Sequence, residues 1–246
     1  MEIFVYYTPE STPDNCYPDC VVAIDVLRAT STIITALHNG AKSVKAYGDM
    51  DSLNQESELL PPAVRLRLGE RGGKKVDSCD LGNSPLDCTP EVVAGKHLFM
   101  STTNGTRTLQ RAKGASVVLV GAIINFQAVV DYLQKHQPEK VWLLASGWEG
   151  GYSLEDTVCA GAIASGFLSL DNLKDAKVKI GNDEVIAAIS LYQQWQHRLL
   201  DLFKLSSHGQ RLLNLGLEED LKYCAQKNIT RILPIQTETG IVVYQD

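Results

Sequence analysis

The chain has 246 residues and a mass of 27.0 kDa, enough to bury a core of its own, and its 44% apolar and 21% charged residues exclude a disordered chain, a collagen or a small disulfide scaffold. Lys and Arg number 23 against 29 Asp and Glu, a formal charge of -6, so the long-range field opposes a nucleic-acid backbone or an anionic membrane surface. Any anionic partner, such as a small phosphate ester, must be held by local groups.

Residues 3–7 form an apolar run of strand length and are expected as an outer strand. Further strands are predicted over 21–26, 44–47, 64–68, 97–100, 117–120 and 141–145, with helix-length segments between them, the pattern of parallel strands joined by crossover helices. Helices are predicted to open after Thr30, after Asp49, near Thr103 and Asn104, after Asn125 and after Ser153, each behind a side chain able to cap free amides. Gly40 and Gly114 fall where such helices stop, and Pro61-Pro62 ends the second one. Residues 69–90, rich in Gly, Asp, Ser and Pro, are expected as one long loop. Beyond Gly166 helices are predicted over 185–200, 210–215 and 218–226, with Leu191, Trp195 and Leu199 on one face, before 241–244 adds a second outer strand.

The fold expected is α/β. A mostly parallel sheet flanked by helices occupies 1–166 and carries the polar clusters, and a helical C-terminal subdomain over 167–246 packs on it and can return a strand to the sheet, in one domain or two. Met1 to Tyr7 has neither the cationic region nor the apolar length of a signal peptide. The longest apolar-looking stretch, 115–126, is broken by Ser116, Gly121 and Asn125 and is too short to span a bilayer. A cytoplasmic protein is expected, its 6 scattered cysteines reduced thiols and not metal ligands. Homo-oligomerisation is left open.

Four polar clusters fall at or just beyond the C-terminal ends of predicted strands, the edge at which open α/β sheets bind ligands. In the first, Asp25 ends an apolar strand, Arg28 follows, and Thr30 and Ser31 open a helix. Asp25 is the leading catalytic candidate, as ligand of a divalent cation or as nucleophile, with Arg28, Thr30 and Ser31 as anion binders. The plainer alternative pairs Asp25 with Arg28 and leaves Thr30 as a helix cap. The second cluster, Glu70-Arg71-Gly72-Gly73-Lys74-Lys75, joins an acid and three cations to two glycines that admit close backbone approach, an anion-binding loop with Glu70 as a second catalytic candidate or else a solvated turn. Asn83 and Ser84 follow in a turn as candidates to line the site or as plain turn residues. The third, Thr103-Asn104-Gly105-Thr106-Arg107, opens a helix whose N-terminus suits phosphate or sulfonate, unless Thr103 or Asn104 simply caps it. In the fourth, Glu155 and Asp156 join Asp25 as candidate Mg²⁺ ligands, against the alternative that Ser153 and Asp156 form a capping box. His208 sits in a polar, loop-like context and is a candidate acid, against the plain alternative of a surface or core histidine.

Missing residue types remove several phosphate chemistries. There is no G-x-x-x-x-G-K-[ST] loop, no cysteine with an arginine six positions on, no Arg-His-Gly and no G-x-S-x-G elbow, and Leu27 stands where the haloacid-dehalogenase pattern needs a second Asp. The motifs at 24–32, 69–73, 80–85, 102–107 and 153–157, followed by Ser207-His208-Gly209 and 215–220, resemble in content and order the 2-phosphosulfolactate phosphatase family over nearly the whole chain. That resemblance implies Mg²⁺-dependent hydrolysis of 2-phospho-3-sulfolactate to 3-sulfolactate and phosphate, a step of coenzyme M biosynthesis. A noncatalytic sensor of a small phosphorylated metabolite is the alternative the same helix ends would serve.

Overall fold

The computed structural model describes residues 1–102, 104–170 and 178–245. Its first half runs β1 (Glu2–Tyr6), β2 (Cys20–Ile24), α1 (Ala29–His38), β3 (Ser43–Ala46), α2 (Met50–Glu58), β4 (Arg65–Arg71), β5 (Lys74–Lys75), α3 (Pro90–Val93), β6 (His97–Ser101) and α4 (Gly105–Ala112). It continues with β7 (Val117–Gly121), α5 (Phe126–His136), β8 (Lys140–Ala145), α6 (Leu154–Ala164) and β9 (Lys179–Ile180). The remainder is α7 (Asp183–Trp195), α8 (Leu199–Leu205), α9 (Ser207–Asn214), α10 (Glu218–Cys224), β10 (Pro234–Thr237) and β11 (Gly240–Val243).

Among the described residues these strands form one open, mostly parallel sheet in the order β5-β4-β6-β3-β11-β10-β7-β2-β8-β1-β9. Strand β2 is buried at every position, as an unbroken Cys-Val-Val-Ala-Ile run covered on both faces requires. It pairs in parallel with β7 and β8, and β1 and β9 extend that group. Strands β3, β6 and β4 form a second parallel group. The β10–β11 hairpin joins the two groups antiparallel on either side, meeting each neighbour at one residue pair, Ile235 opposite Leu119 and Ile241 opposite Val44. Pairings this short accommodate strong twist. The C-terminal ends of β2, β4, β6 and β8 therefore meet at one crevice, despite three antiparallel steps that in a flat sheet would point the groups in opposite directions.

The alternation of β2 divides two cores. Val22 and Ile24 face Val129, Ile163, Ile189, Phe203 and Leu221 from α5 to α10, whereas Val21 and Ala23 face Ile33, Leu37, Val93 and Leu109 from α1, α3 and α4. Helices α6 and α7 approach so closely that a Cβ at Gly161 would lie 2.0 Å from the Ala188 carbonyl oxygen, so only glycine fits there.

Several expectations need correction. Residues 241–244 do not make an outer strand, because β11 lies in the middle of the sheet with Ile241 fully buried; β1 likewise lies one strand in from the edge. The stretch 69–90 is not one loop: β4 runs on to Arg71 and β5 folds back against it. The helix expected over 185–200 is divided into α7 and α8, separated at 196–198. No helix among the described residues is long and apolar enough to cross a membrane.

Candidate active site

Strand β2 delivers Asp25 to the sheet edge, where it organises the start of α1. Asp25 Oδ1 accepts from the Ala29 amide at 3.1 Å and its carbonyl from the Thr30 amide at 2.9 Å. The Thr30 hydroxyl donates to the Asp25 carbonyl at 2.8 Å, and the Ser31 hydroxyl to the Val26 carbonyl at 2.7 Å. Both hydroxyls expected to grip an anion thus serve the turn itself. Arg28 does not pair with Asp25. Its Nη1 lies 2.5 Å from Asp220 Oδ2 on α10 and its Nη2 donates to the Gly73 carbonyl at 2.9 Å, with both charged side chains buried.

Glu70, near the end of β4, accepts at Oε2 from the Gly73 amide at 2.8 Å. The start of α4 presses against Asp25: a Cβ on Gly105 would stand 2.9 Å from Asp25 Oδ2 and 2.7 Å from the Ala29 Cβ, so glycine is required for this approach. Asn104 beside it and Asn83, also in the crevice lining, each bury an Oδ1 with no hydrogen-bond partner among the described residues. From α9, His208 stacks on Trp148 with ring centroids 3.8 Å apart and 15° between planes, and its Nδ1 lies 3.4 Å from Glu155 Oε1. Asp25, Leu27, Arg28, Glu70, Gly73, Asn83, Thr102, Asn104, Trp148 and His208 line a tight crevice with a cavity volume of about 20 Å³.

The electrostatics of this crevice are those of crowded acids. Burial pushes the Asp25 carboxyl up to about 6, with Glu70 and Glu155 adding repulsion and His208 and the Ala29 amide relieving part of it. Asp156 is raised well above the ordinary carboxylate range, first by burial and then by Asp25 and Glu155. Its Oδ1 accepts from the Val26 amide at 2.8 Å and its Oδ2 from the Gly147 amide at 3.3 Å. Asp156 therefore ties the β2 and β8 loops together, and only half of the capping box forms, with Ser153 Oγ accepting from the Asp156 amide at 3.3 Å.

Other sequence candidates point elsewhere. Arg107 is ion-paired with Glu10 near the surface, and Arg71 donates to the Glu70 carbonyl at 2.7 Å and to Ser101 Oγ at 3.2 Å. Ser84 donates to Asp220 Oδ1 at 2.6 Å, and the Gly72 carbonyl accepts from Arg211 at 3.1 Å. Thr106 Oγ1 accepts from the Thr102 amide at 3.4 Å. Thr103 lies outside the described residues. Thr102 and Trp148 lie within the polar clusters expected at this edge, at 102–107 and 147–156, but sequence reasoning gives neither of them, nor Asp220, a role of its own. His208 and Asp220 do sit within the C-terminal motifs at 207–209 and 215–220, but nothing in their local spacing says what they touch.

A family model described as 2-phosphosulpholactate phosphatase matches residues 6–239. A relative from Gloeothece citriformis named probable 2-phosphosulfolactate phosphatase is 60% identical over 243 residues, covering 99% of each chain. One of the same name from Synechocystis sp. is 59% identical over 242 residues, 98% of this chain and 99% of that one, and one from Picosynechococcus sp. is 57% identical over 242 residues, 98% of each. With the model spanning all the crevice-lining residues and identity of this level running end to end, the chain belongs to the 2-phosphosulpholactate phosphatase family.

Proposed function

We propose that the chain hydrolyses the phosphate monoester of a small 2-hydroxy acid, 2-phospho-3-sulfolactate, to 3-sulfolactate and inorganic phosphate with Mg²⁺ bound in the crevice, the step of coenzyme M biosynthesis that this substrate serves. The observation that carries the reading is the pair of buried, unpartnered amide oxygens, Asn83 Oδ1 and Asn104 Oδ1, in a crevice shared with Asp25 and Glu70. No group of three or more His, Cys, Asp or Glu among the described residues forms a ready metal cluster. A carboxylate with two amide oxygens is nevertheless a hard-oxygen donor set of the kind that suits Mg²⁺.

Charge supports the same reading. Asp220 cancels the Arg28 guanidinium, and Arg107 is held by Glu10, so an anionic ester entering this crevice meets carboxylates with little free cationic charge. Mg²⁺ held there would supply the missing neutralisation and polarise the phosphoryl group. Asp25, Asn83 and Asn104 would hold it. Asp156 is left out of this set because both its oxygens serve backbone amides. Glu70 takes a proton from the attacking water. His208, fixed between the Trp148 face and Glu155, holds the proton that the departing alkoxide of a 2-hydroxy acid needs.

The test is phosphate release from 2-phosphosulfolactate and phospholactate by metal-stripped protein, with and without added Mg²⁺. Turnover restored by Mg²⁺ and abolished by excess EDTA is expected. Full turnover in EDTA would reject the metal, and ligand binding without release would identify a sensor instead.

A further inference from the structure

The buried pair formed by Arg28 and Asp220 joins segments 192 residues apart, and what hangs from it gives it a role beyond packing. Asp220 stands in the first turn of α10, outside the crevice lining. Its two oxygens are divided between two segments of the site: Oδ2 takes Arg28 Nη1 at 2.5 Å, and Oδ1 takes the Ser84 hydroxyl at 2.6 Å. Arg28 passes the first hold onward, because its Nη2 donates to the Gly73 carbonyl at 2.9 Å and the Gly73 amide in turn donates to Glu70 Oε2 at 2.8 Å. The second hold fixes the residue next to Asn83, whose side-chain oxygen is one of the two unpartnered donors.

We propose that Asp220 is a positioning residue of the reaction: through Arg28 and Gly73 it sets Glu70, and through Ser84 it sets Asn83. This rests on the functional reading above for the roles of Glu70 and Asn83, but the geometry it asserts does not. A plain hydrophobic contact between α10 and the sheet would have served packing alone. An ionised pair carried into the interior costs desolvation, and its returns here are directional bonds to two turns, Gly72-Gly73, which Arg211 also holds and Leu215 packs against, and Asn83-Ser84, which Thr32 also holds through the Asn83 carbonyl. Outer partners of this kind typically change metal affinity or activity by about 10- to 100-fold when removed.

The experiment compares wild type with Asp220→Asn, and with the paired replacement Arg28→Leu plus Asp220→Leu, which removes both buried charges together and so avoids stranding one of them. Backbone amide exchange is followed by mass spectrometry, and kcat and KM are measured on 2-phosphosulfolactate with Mg²⁺. The expected result is exchange accelerated at least about tenfold at 70–75 and 82–84, with the β2, β7 and β8 strands unchanged, and kcat lowered by about 10- to 100-fold with KM altered less than about threefold. Exchange at 70–75 and 82–84 equal to wild type in a folded variant overturns the proposal, whatever the activity. So does local acceleration with unchanged kcat in an active enzyme, which would leave Asp220 a structural tie. Should wild type release no phosphate from any ester, the functional reading fails, while the exchange comparison still decides whether Asp220 sets the two turns.

Discussion

Asp25→Asn separates the catalytic value of this carboxylate from its cost to the fold. The carboxyl is raised from the ordinary 3.8 to about 6, chiefly by burial and then by Glu70 and Glu155. The folded protein therefore holds this proton more tightly than the unfolded chain does. The group's contribution is most favourable below pH 3.8 and is lost progressively as the pH rises through about 6. At pH 7 without metal, a gap of about two pH units at about 1.4 kcal/mol each amounts to about 3 kcal/mol of destabilisation. The amide of the variant keeps an oxygen for the Ala29 N–H and replaces the repelling charge with a neutral group of the same shape.

In EDTA at pH 7 the Asp25→Asn protein should consequently melt about 6 to 12 °C above wild type, given roughly 2 to 4 °C per kcal/mol for a chain of this size. At pH 4 the difference should shrink towards zero. Added Mg²⁺ should raise the melting temperature of wild type and leave the variant unchanged, while turnover of the variant falls at least about 10²-fold. Melts across pH 4 to 7 with and without Mg²⁺, alongside phosphate release, test each arm. A variant less stable than wild type at pH 7 in EDTA, or a difference independent of pH, would refute the electrostatic argument. Near-native turnover in a folded variant would remove Asp25 from the chemistry.

Two further substitutions discriminate between residues at the crevice and residues near it. Arg107→Ala should change kcat and KM less than about threefold and stability by less than about 1 kcal/mol, because its partner is an exposed Glu10 and not the crevice; a tenfold rise in KM would place it against the substrate. His208→Asn should slow hydrolysis of the alkyl ester by at least about 10²-fold but that of p-nitrophenyl phosphate, whose leaving group departs without a proton, by less than about tenfold; equal losses would assign His208 to structure.

The parts of the site that were legible in the sequence are those decided within a few residues. An unbroken apolar run ending in Asp25 announces a doubly covered strand with an acid at its tip, and Asp49 and Ser153 cap the helices they precede, each accepting from the amide three residues on. What spacing could not reveal was decided by which elements pack together. The C-terminal residues 234–243 alternate weakly and read as periphery, yet they fill the gap between two parallel groups whose open edges would otherwise lie bare. The charge partner of Arg28 was likewise set by the docking of α10, not by the nearest acid along the chain.

The bonds that Thr30 and Ser31 make have a more general physical cause. Hydroxyls after a strand end look like ligand donors, but in this buried helix start each bonds to a backbone carbonyl five residues earlier. An asparagine Oδ1 is different, because it can only accept. Asn83 and Asn104 each bury such an acceptor with no hydrogen-bond partner among the described residues. A buried acceptor without a donor costs about 1 to 3 kcal/mol, and two of them in a crevice already crowded with carboxylates are the feature on which the proposal of a bound cation rests.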